Sequence, residues 1–166
     1  MKAFESFPDS SRVWIYAAPR PITQEEYEFI CARLENFIDD WAAHGSKLAA
    51  TFSVLHRRFI VIAVNENPQD ATGCSIDALV HEVQAIGESL EIDFFNRLRV
   101  VYRDENNNLV VSCSIPELKE MIEEHDFPNN TPVFDNTIQT LGQLRSNWEV
   151  PAKKSWIRKY LNNPKD

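Results

Sequence analysis

Phe59-Ile60-Val61-Ile62-Ala63-Val64, running directly into Asn65-Glu66-Asn67-Pro68-Gln69-Asp70-Ala71-Thr72-Gly73-Cys74-Ser75-Ile76-Asp77, is the stretch whose reading decides the fold. The first six residues are apolar at both parities, and a strand apolar on both faces belongs in the middle of a sheet. The polar run that follows holds a proline and a glycine, so the chain turns there. Beyond it, Ile76, Leu79, Val80, Val83, Ile86 and Leu90 recur at the 3.6-residue period and predict a helix from about Ile76 to Leu90, slightly weakened by Gly87.

Working outward toward the N-terminus, Lys47 to Leu55 reads as a strand with Leu48, Ala50, Phe52 and Val54 on one face, joined to the central strand by a tight His56-Arg57 turn. Before it, Thr23 with Glu26 forms a capping-box signature. Tyr27, Ile30, Leu34, Phe37, Ile38 and Trp41 then make one helical stripe, stopped at Gly45. Arg12 to Ala18 is a first strand, apolar on both faces and ended by Pro19 and Pro21.

Working toward the C-terminus, Arg97 to Arg103 sets Leu98, Val100 and Tyr102 against Arg97, Arg99, Val101 and Arg103, the pattern of an edge strand with one solvated face. A turn at Asp104 to Asn108 leads into a short fifth strand, Leu109 to Cys113, and Ser114 with Glu117 opens a helix through about Glu124. Asp126 to Asn136 reads as a loop, Ile138 to Trp148 and Lys153 to Leu161 as short helices broken at Pro151, and 162–166 as a frayed tail. The order strand, helix, strand, strand, helix, strand predicts an α+β protein with a ferredoxin-like β-α-β-β-α-β core. The whole chain, 1–166, is expected to form one domain, with its core over about 12–113 and a helical extension over about 114–161. In that arrangement Trp14, Tyr16, Ile60, Ile62 and Val64 face away from the helices. Either the C-terminal helices, through Leu141, Leu144, Trp148, Trp156, Ile157 and Leu161, or a second subunit must cover them.

Composition excludes several classes. The chain has 166 residues, 43% of them apolar and 25% charged, which is ordinary for a globular domain. A net charge of -8 opposes non-specific binding to nucleic acid or an anionic membrane surface. No apolar run approaches the roughly 18 to 20 residues of a membrane span, and Met1 to Phe7 opens no signal-peptide core, so a cytoplasmic location is expected. Cys31, Cys74 and Cys113 are odd in number and widely spaced; they read as free thiols, with no metal-ligand spacing and no cofactor implied. Gly45, Gly73, Gly87 and Gly142 are the only glycines, and none of their spacings makes a Walker A or dinucleotide-binding loop. G-x-S-x-G is absent too.

Candidate site residues concentrate at the Asn65 to Asp77 corner. A cysteine at a helix start lies in the positive end of the macrodipole beside unpaired N–H groups, which favours a thiolate at Cys74, and Gly73 permits close approach of a ligand. His44, at the end of the first helix, is a possible base for Cys74; its plainer role is capping that helix. Cys74, likewise, is plainly read as a packed neighbour of a Ser75 cap, with Asp77 complementing the dipole. Glu66, Gly73, Ser75, Asp77, Trp41 and Arg20 complete the candidate ligand-binding rim. Arg97, Arg99 and Arg103 on one strand face suit a phosphate or carboxylate partner, or else serve as a charged edge that resists strand pairing. His56, His81 and His125 read as surface or turn residues.

Trp41-Ala42-Ala43-His44-Gly45, Phe59 through Glu66, and Gly73-Cys74-Ser75-Ile76-Asp77 resemble a family of small uncharacterised bacterial proteins often labelled ABC transporter ATPase. The similarity runs from about Trp14 to the Ser155-Trp156 region, and the Gly73 to Asp77 phrase is its most specific part. The resemblance implies no established activity or catalytic residue, and its label conflicts with the missing phosphate loop. Where the family carries an aspartate before the glutamate, this chain has Asn65, which weakens a carboxylate-pair or metal role with Glu66. The expectation is a module for an unknown small molecule or protein partner, monomeric or homodimeric, sited around Asn65 to Asp77. The alternative is a thiol-dependent enzyme or redox-responsive protein using Cys74.

Overall fold

Residues 2–161 are described by the computed structural model; the tail expected to fray, 162–166, lies outside the described residues. The chain forms β1 (Arg12–Ala17), α1 (Gln24–Asp40), a small hairpin of β2 (Ala42–Ala43) and β3 (Ser46–Lys47), then β4 (Ala49–Leu55), β5 (Phe59–Asn65) and α2 (Gly73–Leu90). It continues with β6 (Val100–Arg103), β7 (Val110–Cys113), α3 (Ile115–Glu123), β8 (Pro132–Phe134), α4 (Leu141–Ser146), β9 (Glu149–Pro151) and α5 (Arg158–Leu161). Helices and strands are mixed along the chain, as an α+β protein requires.

One antiparallel sheet has the order β1-β5-β4, with Arg12 opposite Val64 and Leu55 opposite Phe59. Phe59 through Val64 are fully buried at the centre, as their two apolar faces predict. Alternation splits their side chains between two cores. Ile60, Ile62 and Val64 join Tyr16, Ile30, Leu34, Leu79, Val83 and Ile86 under α1 and α2. Phe59, Val61 and Ala63 join Val13, Phe134, Leu141, Leu144 and Trp148 on the other side. The faces are therefore the reverse of the expectation: the set of Trp14, Tyr16, Ile60, Ile62 and Val64 is the one the two long helices cover. Leu141, Leu144 and Trp148 do cover the opposite face.

The remaining strands depart from a single sheet. β6 lies inside a second sheet of order β7-β6-β8-β9, and does not pair with β1. Its apolar residues explain the placement. Val100 and Val101 point to opposite faces and both are buried, the former with Leu118, Val133 and Ile157, the latter against the first sheet's core. The solvated edge expected for Arg97 to Arg103 is thus an interior strand beginning at Val100. β8 comes from the segment expected to be a loop; a strand of three residues, opened by a proline, gives little periodicity to read. Trp156, Ile157 and Leu161 pack on this second sheet, not on the first.

The departure leaves one edge of β1 open. The Ala18 N–H donates to the Arg58 carbonyl directly opposite, so Trp14 and Tyr16 also turn their backbone groups toward β5, while Val13, Ile15 and Ala17 turn theirs away. Val13 N–H finds the Gln139 carbonyl at 2.9 Å, and Leu141 N–H reaches the Ser11 carbonyl at 2.8 Å. Beyond that short bridge, among the described residues, Val13 C=O and both backbone groups of Ile15 and of Ala17 have no partner.

Candidate functional site

The Asn65 to Asp77 corner is built by its own polar side chains. Asn65 Oδ1 accepts the Asn67 N–H at 3.1 Å, and Glu66 Oε1 accepts the Ala71 N–H at 3.1 Å while lying 3.7 Å from the Arg12 guanidinium. Helix α2 starts three residues earlier than its apolar stripe predicts, because Thr72 has the extended backbone of an N-cap and accepts the Ser75 N–H. Ser75 Oγ in turn accepts the Thr72 N–H at 2.8 Å, a reciprocal capping box. Ser75 is therefore the third residue of the helix and not its cap. It is buried, with its hydroxyl inside the box, while Gly73, Cys74 and Asp77 are exposed.

Trp41 joins this corner from below. Its indole N–H donates to the Ser75 carbonyl at 2.8 Å, and its buried ring packs against Phe37 at 5.2 Å and Trp14 at 6.0 Å. The C-terminal end of α1 thus meets the N-terminal end of α2. His44 lies near the same end but in the β2–β3 turn, exposed at φ 49°, because α1 stops at Asp40 and Trp41 is its C-cap. Among the described residues no hydrogen bond joins His44 to Cys74. Arg20 is elsewhere. It makes a two-pronged ion pair with Glu26 at 2.7 and 2.8 Å, at the end of the sheet where Ala17 faces Phe59, while Arg12 and Asn65 mark the corner's end.

From the corner a cleft of about 1040 Å³ runs along the open edge of β1. Glu66, Ile76 and Val80 line its start, Arg12 through Ala17 its floor, and Phe94 through Arg99 its far wall. Ile138 to Thr140, Trp156 and Lys159 close it from the C-terminal side. Among the described residues the lining holds four cations, Arg12, Arg97, Arg99 and Lys159, and one carboxylate, Glu66, a local excess of positive charge in a chain of net charge -8. Arg12 stacks over the Trp14 ring at 4.8 Å. Arg97 is exposed and, among the described residues, has no carboxylate partner. Leu98 beside it is 69% exposed. Tyr16 is buried, edge-on to Phe95 at 5.3 Å; burial pushes its phenol up to about 12, with the Arg97 charge opposing.

Of the arginines read from the sequence, only Arg97 and Arg99 reach the cleft. Arg103 is held by Glu149 in two bonds of 2.6 and 2.8 Å. Arg99 donates to the Ser112 hydroxyl at 3.2 Å, and so does the buried Arg58 at 3.3 Å. Ser112 Oγ donates to the Pro19 carbonyl at 2.7 Å, and among the described residues the Arg58 Nε has no partner. Burial first, then the neighbouring Arg99, lower the Arg58 pKa.

The open edge was not readable from the sequence, because β1's apolar residues point equally to a fully paired centre. The exposed Leu98 between two arginines was the nearest signal. Among the described residues no cluster of three His, Cys, Asp or Glu side chains stands ready for a metal ion, and no helix is long and apolar enough to cross a membrane. Compared with known proteins, the chain matches no family model, no curated protein and no solved structure.

Proposed function

We propose that this protein is a binding module, not an enzyme of the phosphate-loop class. Its site begins at the Asn65 to Asp77 corner and extends through the β1 cleft. The observation that carries this is charge placed against the average: among the described residues, four cations and one carboxylate around a partly apolar cleft in an acidic chain. A ligand with an anionic group and an apolar body matches both features. Of the candidate rim, Glu66 lines this cleft. Arg97 and Arg99 replace Arg20.

The same reading takes β1, α1, β4, β5 and α2 as a ferredoxin-like run whose fourth strand has moved to the second sheet. It places the protein in the cytoplasm, in keeping with three free cysteines, as a monomer or homodimer. Membership of the small bacterial family belongs to this proposal, with its ATPase label read as an inherited name, since the glycine spacing leaves no phosphate loop.

Anilinonaphthalene sulfonate, an aromatic anion, is the probe that tests it. The dye should bind with saturable fluorescence, and Arg97→Glu should weaken it by roughly 5-fold or more, the effect of about 1 kcal/mol of charge interaction. Unchanged affinity in Arg97→Glu, with an unaltered melting temperature, counts against the cleft.

A second reading rests on Cys74, exposed in the first turn of α2 while Cys31 is half-buried and Cys113 buried. It makes the protein a thiol-dependent enzyme or redox-responsive switch with His44 as base. Iodoacetamide should label Cys74 first. His44→Gln should slow that labelling if the imidazole takes part, and an unchanged rate removes the reading.

A further inference from the structure

Resting on the binding-module reading, we propose that the cleft accepts an extended acidic segment of a partner protein, which adds as a strand to the open edge of β1. Independent observations converge on that occupant. Among the described residues, Val13 C=O and the N–H and C=O of Ile15 and Ala17, all residues that line the cleft, turn away from β5 without partners, and main-chain groups of an incoming strand are their natural complement. Exposed edges are commonly guarded by prolines or inward-pointing charges. Here Val13 to Ala18 contains neither.

Shape argues in the same direction: the cleft, of about 1040 Å³, is lined by every residue of β1 from Arg12 to Ala17. Side-chain alternation supplies specificity. A strand laid beside β1 turns alternate residues toward Ile76, Val80, Phe94 and Phe95 on one side and toward Ile138 on the other, apolar walls in both directions. The flanking cations set the charge: Arg12 stands at one end of the edge and Arg97 and Arg99 line the opposite wall, so glutamates or aspartates on the incoming segment are matched. In a ferredoxin-like sheet the neighbour of the first strand on this side is the fourth strand. A partner segment takes that place because β6 has been drawn into the second sheet.

The experiment uses the full chain and a library of octapeptides in which glutamate alternates with Val, Ile, Leu, Phe or Tyr, read by fluorescence anisotropy. Members should bind, and N-methylation of alternate residues in the best binder should weaken it by roughly 10-fold or more, as expected for loss of more than one main-chain hydrogen bond. Replacing its glutamates by lysines should abolish binding. Amide hydrogen exchange at Ile15 and Ala17 should slow on saturation, a readout that a peptide held by charge alone would not move. If the peptides bind but N-methylation and exchange show no change, strand addition is overturned while the binding-module reading stands. If no peptide binds but the sulfonate dye still does, the occupant is a small anion and the proposal fails. If neither binds, both readings fall. Concentration-dependent self-association that protects Ile15 and Ala17 without any peptide assigns the edge to a second copy of the chain, and equally overturns the proposal.

Discussion

Tyr16 links the cleft to stability at the level of a single side chain. Its phenol sits under the α2 face of the sheet, where burial raises its pKa from the ordinary 10.0 to about 12. The folded state therefore holds the proton more tightly than the unfolded chain. Its contribution is complete below about pH 10 and is lost as pH rises through about 12. Cys113 behaves alike, pushed up to about 11 mainly by burial, with Glu117 adding to the shift and Arg99 opposing it. Tyr16→Phe, which cannot ionise, should flatten the alkaline fall in the urea midpoint while leaving stability near neutrality almost unchanged. An equally steep alkaline fall in that variant would show that Tyr16 is not the group responsible. Because the Arg97 charge opposes the shift, Arg97→Ala should move the tyrosinate absorbance transition of Tyr16 to still higher pH.

The end of α2 shows what a helix requires that its periodicity does not announce. Gly87 reads from sequence as a mild weakness, since glycine costs about 1 kcal/mol relative to alanine inside a helix. In the structure the chain folds back so closely that a Cβ on Gly87 would stand 2.6 Å from the Ile92 carbonyl oxygen, and Ile92 N–H bonds to the Gly87 carbonyl at 2.9 Å. Gly87→Ala should accordingly destabilise by about 1–3 kcal/mol, as overpacking against backbone does. Glu91 beside it holds φ 53° at the C-cap, a left-handed conformation that glycine adopts freely. Glu91→Gly should therefore be neutral or stabilising by up to about 1 kcal/mol. Urea titration of the two variants separates these outcomes, and equal effects would contradict the geometry. The same contrast marks what the sequence could disclose. The stripes Tyr27 to Trp41 and Ile76 to Leu90, the capping boxes at Thr23 and Ser114, and the doubly apolar β5 are legible because each is a local pattern with one meaning, whereas the same pattern in β1 belongs to an edge strand. β8, β9 and the β2–β3 hairpin have two or three residues each, below the length at which alternation shows. At the site, the Asn65 to Asp77 corner is legible because it is contiguous in sequence, whereas Trp41 reaches it only through the fold. The cleft is not legible because it depends on which strand declines to pair, and Arg20 lies away from the corner because β1 separates it from Arg12.

Across the whole molecule, the two sheets are held together by an aromatic knot at the turn between β4 and β5. Phe59 from the first sheet meets Phe134 at 4.9 Å and Trp148 at 4.8 Å, and the His56 ring lies against Phe134 and Trp148 at 5.5 and 5.7 Å. His56 adopts φ 51° to reach that position. Burial, followed by the nearby Arg103, lowers its pKa below the ordinary 6.5, with Glu149 opposing; Arg145 lines the same recess. The neutral ring is thus the form the knot accommodates, and its contribution is complete above about pH 6.5 and is lost as pH falls through the lowered value. Among the described residues three carboxylates have lowered pKa values, Glu25 by a backbone hydrogen bond, Glu26 by Arg20 and Glu117 by the Ser114 cap; they lose their contributions only below the ordinary 4.5, so the two acid losses separate on the pH axis. His56→Asn keeps a residue that tolerates positive φ and removes the titrating ring. Thermal melts should then show the wild type losing stability from about pH 6.5 downward while His56→Asn holds level until the carboxylate range. Since the cleft lies between the sheets this knot joins, dye binding in the wild type should weaken over the same interval, and the variant should retain it. A wild-type decline confined to pH below 4.5 would show that the knot tolerates the imidazolium.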